Sequence, residues 1–497
     1  MKKSVQTINK MNNSLDILFK PKNVVIYEAK PKFSYFIGGF QLQGFNTENL
    51  YLISPSEEEI QGIKCYKSLD DIPIDTIDYL ILTTRREILI QTLKEFLEKK
   101  IVHFIHFFTA SLGEFDEVGE EIEKQLIEIL NKPEITTRAI GPNCMGVYCP
   151  SGKSAYLPIF PTKSGKIAFA FHSGDLTTRS IMYANLTYNL TFSKCASIGN
   201  CVDLQVSDFL KYYNADEETE IIGVYFEGFN KYHKNEAKEL FHTLKTMQKP
   251  VLFLRGGKSN RGQAAVLSHT GSLGTEDKIW QAIYKQTGVI EVASEMDELI
   301  EYLYIFNYFF EKNRGLSFEK QIELYPKGKN ALVILWSGGL GILDTDMLTG
   351  CNIDMPLFDD EIKKKLMEIY PLKVGSYSNP LDLPWFSDRQ KYLEICLGAI
   401  SENIDLVIMH TDAGSRSRRD EEEAKKRYDN LLALKEHVES QNKILIMILP
   451  EYPDRTRIRY FKQLVNDGFI VFPTVRKAAR AFLALHDYGK RIREIKK

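Results

Sequence analysis

One histidine stands in a setting that suits group transfer. His269 lies between Ser268 and Thr270, after an apolar run (residues 250–254) and a basic turn (255–262). Small polar neighbours predict a flexible loop, and an imidazole on a loop can accept a chemical group and pass it on. Taken alone, the stretch favours a plainer interpretation, a polar loop whose histidine caps something nearby, because short motifs are weak evidence.

Two other polar features follow predicted strands. Ser173 and Gly174 come after the apolar run 166–171 and begin a helical pattern, so that backbone N–H groups there would point at an anion. Glu227 follows a further apolar run, 221–226. Each feature alone has a plainer explanation, a helix cap for Ser173 and a solvated charge for Glu227.

These residues share a position relative to a predicted sheet. In open parallel sheets, ligands bind outside the carboxyl ends of the strands. Ser173, Glu227 and His269 all follow such ends, so the sequence predicts that they lie on one rim. This convergence, more than any single residue, indicates a functional site.

The composition is that of an ordinary globular chain. The 497 residues include 64 Lys+Arg and 66 Asp+Glu, so the net charge gives no reason to expect a nucleic-acid partner. No run of about 18 apolar residues occurs, which predicts no membrane span, and residues 1–19 lack the apolar core of a signal peptide. Seven scattered cysteines fit free thiols in a reducing compartment, so we expect a cytoplasmic protein without a metal site.

Short apolar runs alternate with helical patterns along the chain, and the longest helical pattern covers residues 276–310. The runs are continuously apolar, which favours parallel strands covered by helices on both faces. The prediction is an α/β protein that begins with a Rossmann-like domain. Its first strand-to-helix turn, residues 28–35, has no glycine before Gly38, although phosphate-binding turns normally need glycine. An altered ligand site and a retained nucleotide-type site therefore both stay open.

A second glycine-bearing turn begins the last third of the chain. A polar stretch, 311–330, is typical of a linker. The strand pattern 331–336 then runs into Gly338 and Gly339 and a helical pattern. This turn repeats the strand–glycine–helix arrangement at Ser173.

Several motifs occur in a characteristic order. They are Gly-Pro-Asn-Cys-Met-Gly (141–146), Ser-Ile-Gly-Asn (197–200), Tyr-Phe-Glu-Gly (225–228), Ser-His-Thr-Gly-Ser-Leu (268–273), Gly-Gly-Leu-Gly (338–341) and Asn-Pro-Leu-Asp (379–382). Through them the chain, from about Leu18 onwards, resembles the alpha subunit of ADP-forming acetate–CoA ligase, in the succinyl-CoA synthetase superfamily.

The resemblance implies a CoA-binding Rossmann-like domain followed by two flavodoxin-like parallel-sheet domains. The expected boundaries are an N-terminal lead-in (1–20), the CoA-binding domain (21–148), a succinyl-CoA-ligase-like domain that carries the phosphohistidine (149–312), a linker (313–328) and the second flavodoxin-type domain (329–497).

The resemblance also implies roles for single residues. His269 is the expected phosphoryl carrier, and Glu227 is the glutamate that holds it. Two helix starts would clasp the phosphate, because each carries about half a positive charge and free N–H donors. The implied phosphate-binding residues are Ser173, Gly174, Asp175, Ser268, Thr270, Gly338 and Gly339. The implied substrate- or CoA-binding residues are Ser54, Pro55, Asn143 and Asn200, and no metal ligand is implied.

The implied reaction interconverts acyl-CoA, ADP and phosphate with a carboxylic acid, CoA and ATP. It passes through an acyl phosphate and a phosphohistidine, for which a neutral imidazole of pKa about 6.5 is the nucleophile. Coenzyme A and a small carboxylic acid are the implied ligands. No ATP-grasp domain is recognised in the sequence, so we expect an ATP-grasp beta subunit to bring ADP or ATP with Mg²⁺, in an alpha2beta2-like hetero-oligomer.

Several positions depart from the family pattern. The usual Gly-Ala-Ser turn is here residues 28–30, Glu-Ala-Lys, which leaves open whether CoA binds in the usual pose. The usual glutamine before Ser173 is His172, either a second phosphate ligand or, as favoured, a polar rim residue. Cys144 is expected to be an ordinary packed thiol, because the sequence places no base beside it.

Two other functions stay open. The altered first turn also fits a CoA- or acyl-CoA-binding protein with degenerate activity, although the retention of His269 and Glu227 weighs against it. A related acyltransferase that has lost the free-CoA step is the third candidate.

Overall fold

The computed structural model describes residues 14–270, 277–293, 295–384, 386, 388–412, 421–450 and 455–495; of residues 267–270, 318, 421 and 495 it describes the backbone. The chain divides into two compact units. The first comprises residues 1–186 and 190–303, and the second comprises residues 187–189 and 304–497.

The first sheet of the first unit has seven strands. They are β1 (Val24–Tyr27), β2 (Leu50–Ile53), β3 (Glu59–Ile60), β4 (Ile63–Tyr66), β5 (Thr76–Leu82), β6 (Ile101–Phe107) and β7 (Arg138–Ile140). Their spatial order is β3-β4-β2-β1-β5-β6-β7, and only the β3–β4 pair is antiparallel. The chain moves from β1 to β2 on one side and returns with β5 on the other, so the strand order reverses at β1.

Four helices accompany this sheet. They are α1 (Leu15–Phe19), α2 (Tyr35–Leu42), α3 (Arg86–Lys99) and α4 (Glu117–Leu130). Helix α4 begins where the Asp116 carboxylate accepts the Gly119 N–H at 2.7 Å, a regular side-chain cap. Its apolar residues Leu126 and Leu130 are buried against the sheet, in one core with Leu80 and Leu93.

The second sheet of the first unit has six strands. They are β8 (Gly146–Tyr148), β9 (Ser164–Phe171), β10 (Phe192–Ser197), β11 (Ile221–Phe226), β12 (Val251–Arg255) and β13 (Ile290–Val292), in the spatial order β13-β12-β11-β9-β10-β8. Only β8 is antiparallel to its neighbour. Strand β8 thus joins the second sheet although it precedes the expected boundary at residue 148.

The helices that follow these strands are α5 (Gly174–Tyr188), α6 (Val206–Ala215), α7 (Glu236–Thr246), α8 (Asn260–Thr270), α9 (Asp277–Thr287) and α10 (Met296–Lys312). The predicted continuous helix over 276–310 is wrong, because β13 lies between α9 and α10. The three strand residues, Ile-Glu-Val, include two β-branched side chains that favour a sheet position over a helical one.

Hydrogen bonds join the two sheets of the first unit. The segment after β7 pairs with the segment after β10: Val202 N–H donates to Gly141 O at 3.0 Å, and Leu204 N–H donates to Ala139 O at 3.1 Å. The Asp203 carboxylate accepts the Arg138 Nε–H at 2.9 Å. These contacts fix the carboxyl end of the first sheet against that of the second.

The second unit has one five-stranded parallel sheet. Its strands are β14 (Ala331–Leu335), β15 (Leu381–Asp382), β16 (Leu406–His410), β17 (Ile444–Ile448) and β18 (Ile470–Phe472), in the order β15-β14-β16-β17-β18. Its helices are α11 (Phe318–Leu324), α12 (Gly338–Gly350), α13 (Asp360–Ile369), α14 (Arg389–Gly398), α15 (Glu421–Ser440), α16 (Arg455–Asn466) and α17 (Val475–Ile495). Helix α11 lies within the stretch that was predicted to be a linker. Within the described parts of the chain, no helix combines the length and apolar character needed to cross a membrane.

A fully buried lysine in the first unit forms two ion pairs whose effect on stability can be measured. Lys194, in β10, pairs with Asp216 at 2.8 Å and Glu218 at 2.6 Å and is 0 % exposed. Replacing Lys194 by alanine leaves the buried Asp216 carboxylate without its cation, so we expect a loss of about 3–5 kcal/mol in unfolding free energy, measured by urea unfolding. The control is Lys211→Ala, which removes an exposed ion pair to Glu239 and should cost less than about 1 kcal/mol. Equal losses of unfolding free energy in the two variants would contradict the stabilising role of the buried Lys194 ion pairs.

Candidate functional site

A cavity of about 740 Å³ lies where the carboxyl ends of both sheets of the first unit meet. The first sheet contributes residues that follow β1, β5 and β6, which are Lys30, Lys32, Phe33, 83–87, 108–111 and Phe115. The second sheet contributes residues that follow β9, β10 and β11, which are 172–175, Gly199, Asn200 and Glu227. Residues 143–145, between the two sheets, complete the lining.

The start of helix α5 forms one wall of the cavity. The Ser173 Oγ accepts the Leu176 N–H at 3.3 Å, so this serine caps the helix. A side chain at Gly174 would have its Cβ 2.5 Å from the Met145 Cγ, so only glycine fits the present packing. The N-terminal end of a 15-residue helix therefore faces the cavity with its positive dipole end, which suits an anion.

Glu227 lines the cavity at the carboxyl end of β11 and is 7 % exposed. The Glu227 carboxyl group accepts a hydrogen bond from the Tyr225 hydroxyl. Burial and the adjacent carboxyl group both raise the pKa of Tyr225. The carboxyl group is thus held by a neighbouring side chain of its own strand. Ser173 and Glu227, which the sequence placed on one rim, do line the same cavity.

His172 is buried in the cavity wall, at 5 % exposure, rather than on a solvated rim. Burial lowers its pKa to about 3, so the ring is neutral at pH 7. The Glu227 backbone N–H donates to the His172 Nδ1 at 3.4 Å, and a neutral ring that accepts at Nδ1 carries its proton on Nε2. In this tautomer His172 can donate a hydrogen bond through Nε2 but cannot attack phosphorus through it.

The two predicted asparagines line the cavity on its middle wall. Asn143 has a left-handed backbone, with φ of 57°. Asn200 is 3 % exposed, and its amide Nδ2 donates to Glu114 at 2.7 Å and to Glu123 at 3.2 Å. The Asn200 Oδ1 is buried and has no hydrogen-bond partner among the described residues.

Three other predicted site residues do not present their side chains to the cavity as expected. Ser54 and Pro55 follow β2 and do not line the cavity; the Ser54 N–H donates to a carbonyl of β4 at 2.8 Å. Asp175 lines the cavity, but its carboxylate accepts the Arg179 Nε–H at 2.7 Å along the outside of α5. Asp175 is therefore suited to bind phosphate through its backbone N–H rather than its side chain.

The predicted loop at His269 is helical. The backbone of Ser268, His269 and Thr270 forms the last turn of α8, so the expectation of a loop at these residues is wrong. Ala264 and Ala265 in the preceding turn favour a helix, which a pattern of small polar residues concealed. The side chains of these three residues, and residues 271–273 of the motif, lie outside the described residues.

Gly338 and Gly339 begin helix α12 in the second unit. Ser337 makes no side-chain capping bond there, and a Cβ at Gly339 would meet nothing within 4 Å. The backbone N–H groups of this helix start are therefore open to a ligand, as at α5.

Cys144 lines the cavity as a packed thiol. It is 4 % exposed, and burial raises its pKa far above the usual range. A thiol that stays protonated at neutral pH is not a nucleophile. All seven cysteines are free, as the sequence predicted.

The sequence did not single out the cavity residues that follow β5 and β6. Arg85, Phe108 and Ser111 come directly after these two strands. The same rule that singled out Ser173 and Glu227, a position just past the carboxyl end of a parallel strand, identifies them when it is applied to the first sheet as well.

Comparison with known proteins agrees with this architecture. Residues 28–150 match the family model of the CoA binding domain, and residues 164–306 match the succinyl-CoA ligase like flavodoxin domain. The subunit alpha of acetate–CoA ligase [ADP-forming] II from Pyrococcus furiosus is 30 % identical over 399 residues, which cover 79 % of this chain and 81 % of that subunit. The chain belongs to the family of ADP-forming acetate–CoA ligase alpha subunits.

Other relatives of this ligase family extend the comparison. The acetate–CoA ligase [ADP-forming] of Methanocaldococcus jannaschii is 34 % identical over 370 residues, which are 73 % of this chain and 48 % of that protein. A Candidatus Korarchaeum cryptofilum acetyl-coenzyme A synthetase solved with phosphate and ADP superimposes with a TM-score of 0.76 at 21 % identity, covering 97 % of this chain and 98 % of that one. The fold of this family member is therefore a Rossmann-like CoA-binding domain with two flavodoxin-like domains, as the sequence predicted.

The buried neutral His172 leads to a pH-dependent prediction. Its pKa of about 3 in the folded chain lies below the unfolded value of about 6.5, so the unfolded state binds more protons between these values. The contribution of His172 to stability is complete above about pH 6.5 and falls with pH, by up to about 1.4 kcal/mol per pH unit. In urea unfolding at pH 7.5, 6.5, 5.5 and 4.5, the stability of the native chain minus that of His172→Gln should therefore decrease towards low pH. A stability difference that does not change with pH would contradict the assignment of a neutral, buried His172.

Proposed function

We propose that this ligase-family chain interconverts acyl-CoA, ADP and phosphate with a carboxylic acid, CoA and ATP, as a catalytic alpha subunit. The observation that carries the proposal is the shared cavity. The start of α5 and Glu227 lie at one end of a space that also reaches the carboxyl ends of β1 and β5 in the CoA-binding domain. A bound acyl-CoA can therefore present its thioester to a phosphate at α5.

In the first step, we propose that an oxygen of bound phosphate attacks the thioester carbonyl carbon. The carbon–sulfur bond breaks, and CoA leaves as the thiolate, which takes up a proton. The product is an acyl phosphate. The backbone N–H groups at Ser173 and Gly174 would hold the phosphate, because a helix start offers free donors and positive potential without a competing cation.

In the second step, we propose that a neutral imidazole nitrogen of His269 attacks the phosphorus atom, and the carboxylate leaves. The carboxyl group of Glu227 would hold the other ring nitrogen, fix the tautomer and so free the attacking nitrogen. An oxygen of the ADP β-phosphate then takes the phosphoryl group, which gives ATP and restores the imidazole. The helix start at Gly338 and Gly339 remains a proposed phosphate-binding element.

We propose that ADP reaches His269 on an ATP-grasp beta subunit, with Mg²⁺ to neutralise its phosphates. The name of the P. furiosus relative as a subunit alpha supports a separate partner chain. The M. jannaschii relative, of which the matched residues cover 48 %, is about one and a half times as long as this chain, which leaves room for a further domain in one polypeptide. An alpha2beta2-like assembly in the cytoplasm remains our proposal.

The altered first turn supports one alternative, a CoA-binding protein with degenerate activity. An acyltransferase that does not release free CoA is another. Both lack phosphate-dependent release of CoA, so one assay separates them from the proposed function.

The first step is measurable with this chain alone. We expect phosphate-dependent release of free CoA, detected with a thiol reagent, from at least one of a panel of acyl-CoA thioesters from acetyl to aryl. Replacing phosphate by arsenate should increase the release, because acyl arsenates hydrolyse and draw the step forward. Tight CoA binding with no release from any thioester would favour the binding protein instead.

The second step is tested by labelling. The chain incubated with ³²P-labelled acyl phosphate should carry an acid-labile, alkali-stable label on His269, and His269→Ala should abolish it. Glu227→Gln should slow labelling by about 10²–10³-fold, because an orienting carboxyl contributes on the scale of general acid–base assistance. His242→Ala, on the exposed side of α7, is the control and should label normally. Normal labelling of Glu227→Gln would remove its assigned role.

A further inference from the structure

The first strand-to-helix turn of the CoA-binding domain offers a phosphate few backbone donors. The Ala29 N–H donates to a carbonyl of β2 at 3.0 Å. The Phe33 and Ser34 N–H groups donate to carbonyls three residues back, at 2.9 Å and 3.1 Å. Pro31 has no N–H group at all. A glycine-rich turn presents such donors to a phosphate, whereas here three of them are used within the turn and its neighbouring strand.

Side-chain cations line the same edge of the sheet. Lys30 and Lys32 follow β1, and Arg85 follows β5, which is the strand beside β1. The two strand ends are linked, because the Thr83 Oγ1 donates to the Glu28 carbonyl at 3.0 Å. All three cations line the cavity. They flank the crevice at which the strand order reverses, the usual ligand position in open α/β sheets.

The other neighbour of β1 has the opposite charge. Strand β2 is followed by residues 54–56, Ser-Pro-Ser, and then by three consecutive glutamates, 57–59. The one lysine paired there, Lys67, is bound to Glu58 at 2.7 Å. An anion is therefore attracted to the crevice between β1 and β5 and repelled from the end of β2.

The cations at the crevice differ from a structural arginine beside them. The Lys30 ammonium pairs with the Glu28 carboxylate at 3.2 Å, and the Lys32 ammonium lies 4.7 Å from the centre of the Phe33 ring. Arg85 is exposed, and its side chain makes no hydrogen bond or ion pair within the described ranges. Arg86, in contrast, donates to a backbone carbonyl and to a carboxylate, at 2.9 Å and 2.8 Å.

We propose that Lys30, Lys32 and Arg85 hold the diphosphate of CoA at the crevice between β1 and β5, in place of a backbone cradle. This inference rests on the proposed function, in which the cavity receives CoA. The diphosphate bridges the ends of two adjacent strands, and the pantetheine arm extends along the cavity past Asn200 towards Ser173.

Calorimetric titration of the whole chain with CoA tests the proposal. Lys30→Ala and Arg85→Ala should each weaken the affinity about 10-fold, because a charge-assisted hydrogen bond contributes roughly 1.5 kcal/mol or more. Lys30→Arg should retain most of the affinity. The control is Lys22→Ala, an exposed lysine just before the amino end of β1, which should leave the affinity unchanged. Sodium chloride should weaken binding to the native chain more than to the double alanine variant.

Two further ligands identify the phosphate concerned. The double variant Lys30→Ala/Arg85→Ala should lose affinity equally for CoA and for dephospho-CoA, and should bind pantetheine as the native chain does. A loss confined to CoA would assign the cations to the 3′-phosphate and overturn the diphosphate assignment. If the native chain binds CoA and the double variant binds it equally well, the inference fails while the proposed function stands. If the native chain binds no CoA, the proposed function itself fails.

Discussion

The active cavity depends on a short ladder of hydrogen bonds between two connecting segments. The segment after β7 and the segment after β10 run side by side, and the Arg138–Asp203 pair closes them at one end. Gly199, with φ of 58°, lies where a Cβ would come 2.0 Å from the Pro142 carbonyl oxygen, so a side chain would force the segments apart. Without this junction, the carboxyl ends of the two sheets would not face one cavity.

We propose that the cavity attracts anions by two different means. At the start of α5, backbone N–H groups and the helix dipole act close to Glu227 and the neutral His172. A transferred phosphoryl group must arrive and leave, and fixed partial charges stabilise it without a tight ion pair. At the β1–β5 crevice, full side-chain charges act instead, which suits a group that anchors the substrate and does not react.

Much of the fold could be read from the sequence. Apolar runs bounded by turn residues gave the bounds of β11 correctly and those of β9, β12 and β14 to within two residues, because buried parallel strands leave strong local patterns. Short or mixed elements were harder to predict. Strand β13 has three residues, and β8 pairs with a strand more than forty residues later in the sequence, so tertiary contacts decide both.

The candidate site was predictable where it followed strand ends and unpredictable where it needed side-chain geometry. Ser173, Glu227 and Asn200 line the cavity as expected, whereas Ser54 does not, because it is buried and its N–H is bonded to β4. The tautomer of His172 depends on the Glu227 backbone N–H, 55 residues away in sequence. No local pattern encodes such a contact.

The most direct test of the central claim is a crystal structure of the chain with CoA and phosphate. We expect CoA in the cavity, with its thiol near the start of α5, its diphosphate at the ends of β1 and β5, and a phosphate ion on the N–H groups at Ser173 and Gly174. CoA bound at saturating concentration anywhere outside this cavity, or with its thiol directed away from Glu227, would contradict the account.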